Sequence, residues 1–205
     1  MEYNTLATEE MVTTAIAHLK ANNFDGIVVE NGAQALEKIK ELIPKGASVN
    51  NGASKTLEKI GYISYLEAGQ HGWNNLKEAI LKETDPEKQS ALRKQSVISD
   101  YYLGSAHAVI QDGTIMVASN TGSQLPHLVF TSPNLILVVS TKKIVADVTE
   151  AWGRLNEHVI PLEDARMHEA YGFGTTHAKT VFLHKENPNM GRKVLVIFVK
   201  EDLGF

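Results

Sequence analysis

Three short stretches of this 205-residue chain collect small, polar and cationic residues of the kind that close around an anion. The first is Asn50-Asn51-Gly52-Ala53-Ser54-Lys55-Thr56, a strand end passing through a glycine loop into a helix. Ser54 is placed to cap that helix, and N–H groups at a helix start, with Lys55 and Thr56 beside them, suit a negative charge. The stretch has the form of a phosphate loop but neither the G-x-x-x-x-G-K-[ST] nor the G-x-G-x-x-G spacing, so an ordinary β–α turn is the simpler reading. The second is Ser119-Asn120-Thr121-Gly122-Ser123, where nearly every side chain is short enough to let the backbone approach a ligand. The third is Ser140-Thr141-Lys142-Lys143 at the end of an apolar run, with Lys143 as a mobile cation and solvated lysines as the plainer alternative. Each follows a predicted strand, which sends all three to one carboxyl edge of a sheet, where open α/β folds bind ligands. Asp112 and Glu58 are the carboxylates nearest these loops and the weak candidates for a catalytic base or nucleophile, although isolated acids at turns are commonly caps.

Other chemistries lack their residues. There is no cysteine, hence no disulfide, no thiolate nucleophile and no cysteine-held iron–sulfur cluster in the chain itself. Eight histidines are scattered without an H-x-x-x-H pair or H-E-x-x-H, so no metal is expected, and no cofactor. A G-x-S-x-G elbow is missing. The net charge of −4 argues against nucleic acid or an anionic membrane as a partner. No apolar run is long enough to span a bilayer and the N-terminus has no signal pattern, so a cytoplasmic protein is expected.

The elements that must position the loops follow from periodicity. Val12, Ala15, Ile16 and Leu19 mark an amphipathic helix over 8–23, and a second helix runs over 33–43 after the strand Ile27–Val29. Ala47–Asn50 is a brief strand, and residues 70–84 read as a polar loop anchored by Trp73. Asp85-Pro86 starts a helix that the pattern carries to about Tyr101. Ala108–Ile110 and Ile115–Val117 flank Asp112-Gly113 as a hairpin whose two turn positions both favour positive φ, and Pro126 opens a short helix after it. Leu135–Val139 is an unbroken apolar strand, the kind buried on both faces, and belongs at the sheet centre. Asp147-Val148-Thr149-Glu150 is a capping box opening a helix over 147–159 with Val148, Trp152, Leu155 and Val159 buried and Pro161 as its stop. Val181–Leu183 and Val194–Val199 are the last strands. The alternation of strand and helix predicts one α/β domain over 1–205 with a mostly parallel, Rossmann-like sheet flanked by helices.

Several segments, in order, resemble the LUD-domain family, the lactate-utilisation type. Asn51-Gly52-Ala53-Ser54-Lys55-Thr56-Leu57-Glu58-Lys59-Ile60-Gly61 is similar to its G-x-S-x-T-L-x-E-x-G segment, and Ser105–Gly113 to its S-x-N-A-I-x-x-D-G element. Thr121-Gly122 sits where the family has T-G-N-R-V, and Lys143, Arg154, Pro161 and Arg166 continue in register up to the closing Leu203-Gly204-Phe205. The resemblance implies a NagB/RpiA/CoA-transferase-like fold, a role beside iron–sulfur subunits of a lactate-oxidising system as partners, and a small anionic ligand; homo-oligomerisation is allowed for. It also marks departures: Ser123-Gln124 replaces Asn-Arg, which removes a cation suited to bidentate contact, and His107 replaces the asparagine. Two readings stand together. One is an accessory or regulatory component of L-lactate or organic-acid utilisation. The other is a stand-alone enzyme working on an acyl-CoA or sugar phosphate, with Asp112 or Glu58 as base and Lys143 as anion clamp.

Overall fold

The computed structural model describes residues 3–205. Its frame is a six-stranded sheet, ordered β1 (Asp25–Val29), β10 (Lys193–Val199), β7 (Asn134–Ser140), β4 (Tyr101–Gly104), β2 (Ser48–Asn51) and β3 (Asn74–Asn75), parallel throughout. Strand β7 lies inside the sheet, as its composition requires: Leu135, Leu137 and Val139 face one core, and Ile136 and Val138 the other. The period-two alternation of a strand turns an uninterrupted apolar run into two buried faces. On one side, α2 (Gly32–Leu42), α3 (Lys55–Lys59) and α4 (Tyr62–Glu67) cover Ile136, Val138 and Ile197 with Ile39, Leu57 and Tyr62. On the other, α1 (Glu9–Ala21) lays Val12, Ala15 and Leu19 against Leu137, Val196 and Phe198.

A second, four-stranded sheet shares that side, ordered β8 (Ile144–Val145), β5 (Ala108–Ile110), β6 (Ile115–Ser119) and β9 (Lys179–Leu183). It is mixed: β5 pairs antiparallel with β6 and parallel with β8, and β6 pairs antiparallel with β9. Val109, Ile115 and Val117 face the main sheet, whereas Ala108, Ile110 and Met116 face Ala151, Leu155 and Val159 of the helical run beyond. The hairpin and Val181–Leu183 therefore form a separate layer instead of extending the parallel sheet.

Local boundaries depart from expectation in three places. The helix beginning at Asp85-Pro86, α6 (Pro86–Gln95), stops ten residues in, and Tyr101 opens β4 instead of ending a helix. Asp100 fixes that strand's start, because its Oδ2 accepts from both the N–H and the hydroxyl of Ser48 on β2 at 2.8 and 2.7 Å. Residues 74–82, expected as loop, form β3 and α5 (Leu76–Lys82), capped by Asn75. Pro126 lies in the first turn of the short helix, as expected, and that helix then widens into a π-helical turn over His127–Thr131. Pro161 does not stop the preceding helix. The run passes from α7 (Val148–Arg154) through a π-helical turn, Leu155–Val159, into α8 (Ile160–Tyr171), with the proline in the first turn of α8. A wider turn just before a proline accommodates its ring and its missing N–H, the two features that break a regular helix. Within that run Val148 is exposed; Trp152 is half-buried and Leu155 and Val159 are buried.

Among the described residues, no helix is long and apolar enough to cross a membrane.

Candidate functional site

The carboxyl ends of β2, β4 and β7 open on a cavity of about 350 Å³, closed from the other side by the second sheet and α8. From the first stretch, Gly52, Ser54 and Thr56 line it; from the second, Asn120, Thr121 and Ser123; from the third, Lys143. The three loops thus meet around one space although only two of them leave the parallel sheet.

Each loop is built by its own hydrogen bonds. Ser54 caps α3, its hydroxyl accepting from the Leu57 N–H at 3.3 Å. That helix has only five residues, so its dipole is small and the positive potential of the cavity must come from side chains. In the second loop Ser119 Oγ accepts from the Gly122 N–H at 3.0 Å, and Gly122 adopts φ 84°, a backbone state that a Cβ would strain. Gly122 shapes the loop without lining the cavity. In the third, Ser140 caps a 3₁₀ turn over Thr141–Lys143 that swings the two lysines inward.

The lysine loop is therefore not solvated. Lys142 and Lys143 are only 6% and 4% exposed. Lys142 is neutralised by Asp202 at 2.5 Å and also donates to the Gly204 carbonyl at 3.0 Å. Lys143 has no such acid. Its Nζ donates to Thr56 Oγ1, Ser105 Oγ and the Ala106 carbonyl, each at 3.3 Å, and among the described residues no carboxylate reaches it as an ion pair. Burial first, then the nearby Arg154, Lys142 and Lys59 cations, push its ammonium down to about 7, with Asp202 opposing.

Two neighbours complete the polar floor. His107 lines the cavity, and its Nδ1 accepts from the Ala118 N–H at 3.0 Å, which leaves the ring proton on Nε2. Burial and the Lys143 and Arg154 charges hold it neutral, with its pKa near 3. Behind it Arg154 is fully buried; its Nε donates to the His107 carbonyl at 3.0 Å and its Nη1 to the Tyr3 carbonyl at 2.8 Å.

The remaining candidates separate. Glu58 lines the cavity but is held by Lys55 at 2.6 Å. Asn50 does not line it: its Nδ2 donates to the Ser96 carbonyl and hydroxyl, both at 3.1 Å, and its Oδ1 accepts from the Asn51 N–H. Asn51 is likewise turned into the structure, its Nδ2 donating to the Gly52 carbonyl at 2.9 Å. Asp112 is placed wrongly for a base. It lies in the turn at the opposite end of β6 from Ser119, about 13 Å of strand away. Its Oδ1 accepts from the Thr114 N–H and its carbonyl from Asn22 Nδ2 at the end of α1. Only Gly113 in that turn has positive φ, 86°, so Asp112 is a turn cap and not one of two left-handed residues.

The far wall lies outside the three loops, and of its residues only Arg166 stands out in the sequence, through the family resemblance. Glu163, Arg166 and Tyr171 of α8 and the segment Thr175-Thr176-His177 line the cavity opposite Lys143. The last belongs to Gly172-Phe173-Gly174-Thr175-Thr176-His177, whose small and hydroxyl-bearing composition is the same signal that singled out Ser119–Ser123. Arg166 is spent on Glu163, with Nε–Oε2 2.7 Å and Nη2–Oε1 2.6 Å. Gln124, where the resemblance expects an arginine, lines the wall and donates to the Ala118 carbonyl at 3.1 Å. Among the described residues no group of three or more histidine, aspartate or glutamate side chains is arranged to hold a metal ion.

Comparison with known proteins places this architecture. The LUD domain family model matches residues 12–199. This chain belongs to the LUD domain family. A solved structure described as a DUF162 family protein from Deinococcus radiodurans is similar to this LUD domain with a TM-score of 0.55, at 14% identity, over 95% of this chain and 99% of that one. At that identity the likeness is one of fold. No curated protein matches the LUD domain described here.

Proposed function

We propose that this LUD domain binds a small organic anion, a carboxylate of the lactate type, in the cavity, and serves as a cytoplasmic accessory or regulatory component of L-lactate or related organic-acid utilisation. The observation that carries the reading is Lys143: a buried ammonium that lines the cavity and is hydrogen-bonded only to neutral groups. A buried cation without a counter-ion is costly, and an anion arriving beside it recovers that cost. The other cations on the wall, Lys55 and Arg166, already have Glu58 and Glu163. A volume of about 350 Å³ falls within the range of small-molecule sites.

Titration calorimetry with L-lactate, pyruvate, acetate, inorganic phosphate, a sugar phosphate and a CoA ester tests this. One small carboxylate per chain is expected to bind. Above pH 7 the heat should vary with the ionisation enthalpy of the buffer, because binding draws a proton onto Lys143. Silence from every anion would overturn the reading, and binding confined to the sugar phosphate or CoA ester would favour a stand-alone enzyme instead.

A further inference from the structure

We propose that Lys143 is a carbonyl-reactive amine and that the cavity takes a small 2-oxo acid, which Lys143 captures as a Schiff base. The proposal rests on the anion-binding reading and adds a reaction to it. Three features of the geometry lead there. The first is the set of partners of Nζ: two hydroxyls and one carbonyl, all at 3.3 Å, which hold the amine in place without the carboxylate that would fix it as an ammonium. The second is its surroundings, since Lys142 and Arg154 are both buried nearby and disfavour a third positive charge. An amine desolvated next to other cations is the usual arrangement for a nucleophilic lysine, and the depressed basicity of Lys143, to about 7, agrees with it. The third is a local set of proton carriers. Thr56 Oγ1 donates to Ser105 Oγ at 3.3 Å, both touch Nζ, and the neutral His107 ring lies on the same cavity wall.

The step balances with what is present. The Nζ lone pair forms a C–N bond to the carbonyl carbon, and the carbonyl oxygen takes one proton, giving a carbinolamine. The oxygen then leaves with a second proton as water, and the C=N bond remains. Amine and ketone become imine and water, with no oxidant or reductant. Protonation of the imine restores a positive charge at the position of Nζ, where the carboxylate of the same ligand can balance it.

Borohydride trapping is the test. The full chain is incubated near pH 7.5 with pyruvate and sodium cyanoborohydride, and in parallel with L-lactate, which has no carbonyl; adducts are counted by intact mass and placed by peptide mapping. One adduct per chain is expected with pyruvate and none with lactate. It should lie on Lys143, forming about ten times faster or more than on any exposed lysine. Lys143→Arg, which keeps the charge and removes the primary amine, should abolish that adduct. Pyruvate adducts spread evenly over surface lysines in the parent chain would overturn the proposal without depending on any variant. If pyruvate and lactate both bind by calorimetry yet Lys143 is not trapped, the imine is wrong and the anion site stands. If neither binds and nothing is trapped, both fall.

Discussion

Replacing Lys143 by methionine should weaken binding of the cognate carboxylate by about 5- to 150-fold, the ~1–3 kcal/mol of a hydrogen bond to a charged group. The same change should not destabilise the free protein. Lys143 is 4% exposed with no acid paired to it, so an apolar chain of similar length removes a desolvated charge and keeps most of the packing. At pH 7 the variant should gain on the order of 1 kcal/mol, about 2–4 °C in Tm for a chain of this size. The pH dependence distinguishes this from a simple packing effect. The folded state holds Lys143 near 7, below the ordinary lysine value it regains on unfolding. Between those two values the unfolded chain binds a proton that the folded chain lacks, so this group makes wild-type stability rise with pH, by at most ~1.4 kcal/mol per unit. Below pH 7 both states are protonated and the penalty is at its full size. Lys143→Met should therefore exceed the wild type most at pH 6–7 and lose that advantage before pH 9, as read by urea denaturation at several pH values. A variant that is less stable at every pH would show that the lysine contributes to folding through contacts and not as a stranded charge.

Arg154→Ala should be the most damaging of the polar truncations at the site, costing about 3–5 kcal/mol, or roughly 6–20 °C in Tm. The guanidinium is fully buried and ties the carbonyls of Tyr3 and His107 together across the structure. Alanine leaves both carbonyls without that donor and opens a void behind the cavity floor, and those costs add. Arg154→Met refills much of the void and should lose less. It also removes the largest charge acting against the Lys143 ammonium, so carboxylate binding by that variant should persist to higher pH than in the wild type. If Arg154→Ala melts within a few degrees of the parent, the arginine is not the post on which the floor rests.

The parts of this architecture that sequence revealed are those specified by neighbouring residues. The unbroken apolar run Leu135–Val139 places β7 inside a parallel sheet, and Ser54, Asp85 and Asp147 each cap the helix that follows them. The three loops that now surround the cavity were visible from their composition and from the strands preceding them. What was hidden depends on contacts between distant residues. Strand β4 has four residues and is separated from the preceding helix by only five, so nothing within it announces a strand; its pairing with β2 and β7 makes it one. Asp112-Gly113 correctly signalled a turn, but a turn signal carries no information about which end of the sheet it reaches, and this one packs on α1. The burial of Lys143 is the feature least legible in the sequence. A lysine after a strand ordinarily reaches solvent, and this one is enclosed by Thr56 and Ser105, residues 87 and 38 positions away. The second sheet that closes the cavity is equally nonlocal, since β9 joins β6 from some sixty residues downstream.

A buried cation that only an anion completes should reveal itself in the titration of the Lys143 side chain. With lysine labelled with ¹³C at Cε, the Lys143 resonance assigned by its absence in Lys143→Arg can be followed against pH, with and without saturating L-lactate. Burial first, then Arg154, Lys142 and Lys59, favours the neutral amine, and Asp202 favours the ammonium. In the free protein the resonance should inflect near pH 7, and with the carboxylate bound the inflection should move up by about one unit or more. An inflection in the ordinary lysine range in both conditions would mean that Lys143 is solvated or already neutralised, and the anion site proposed here would lose its anchor.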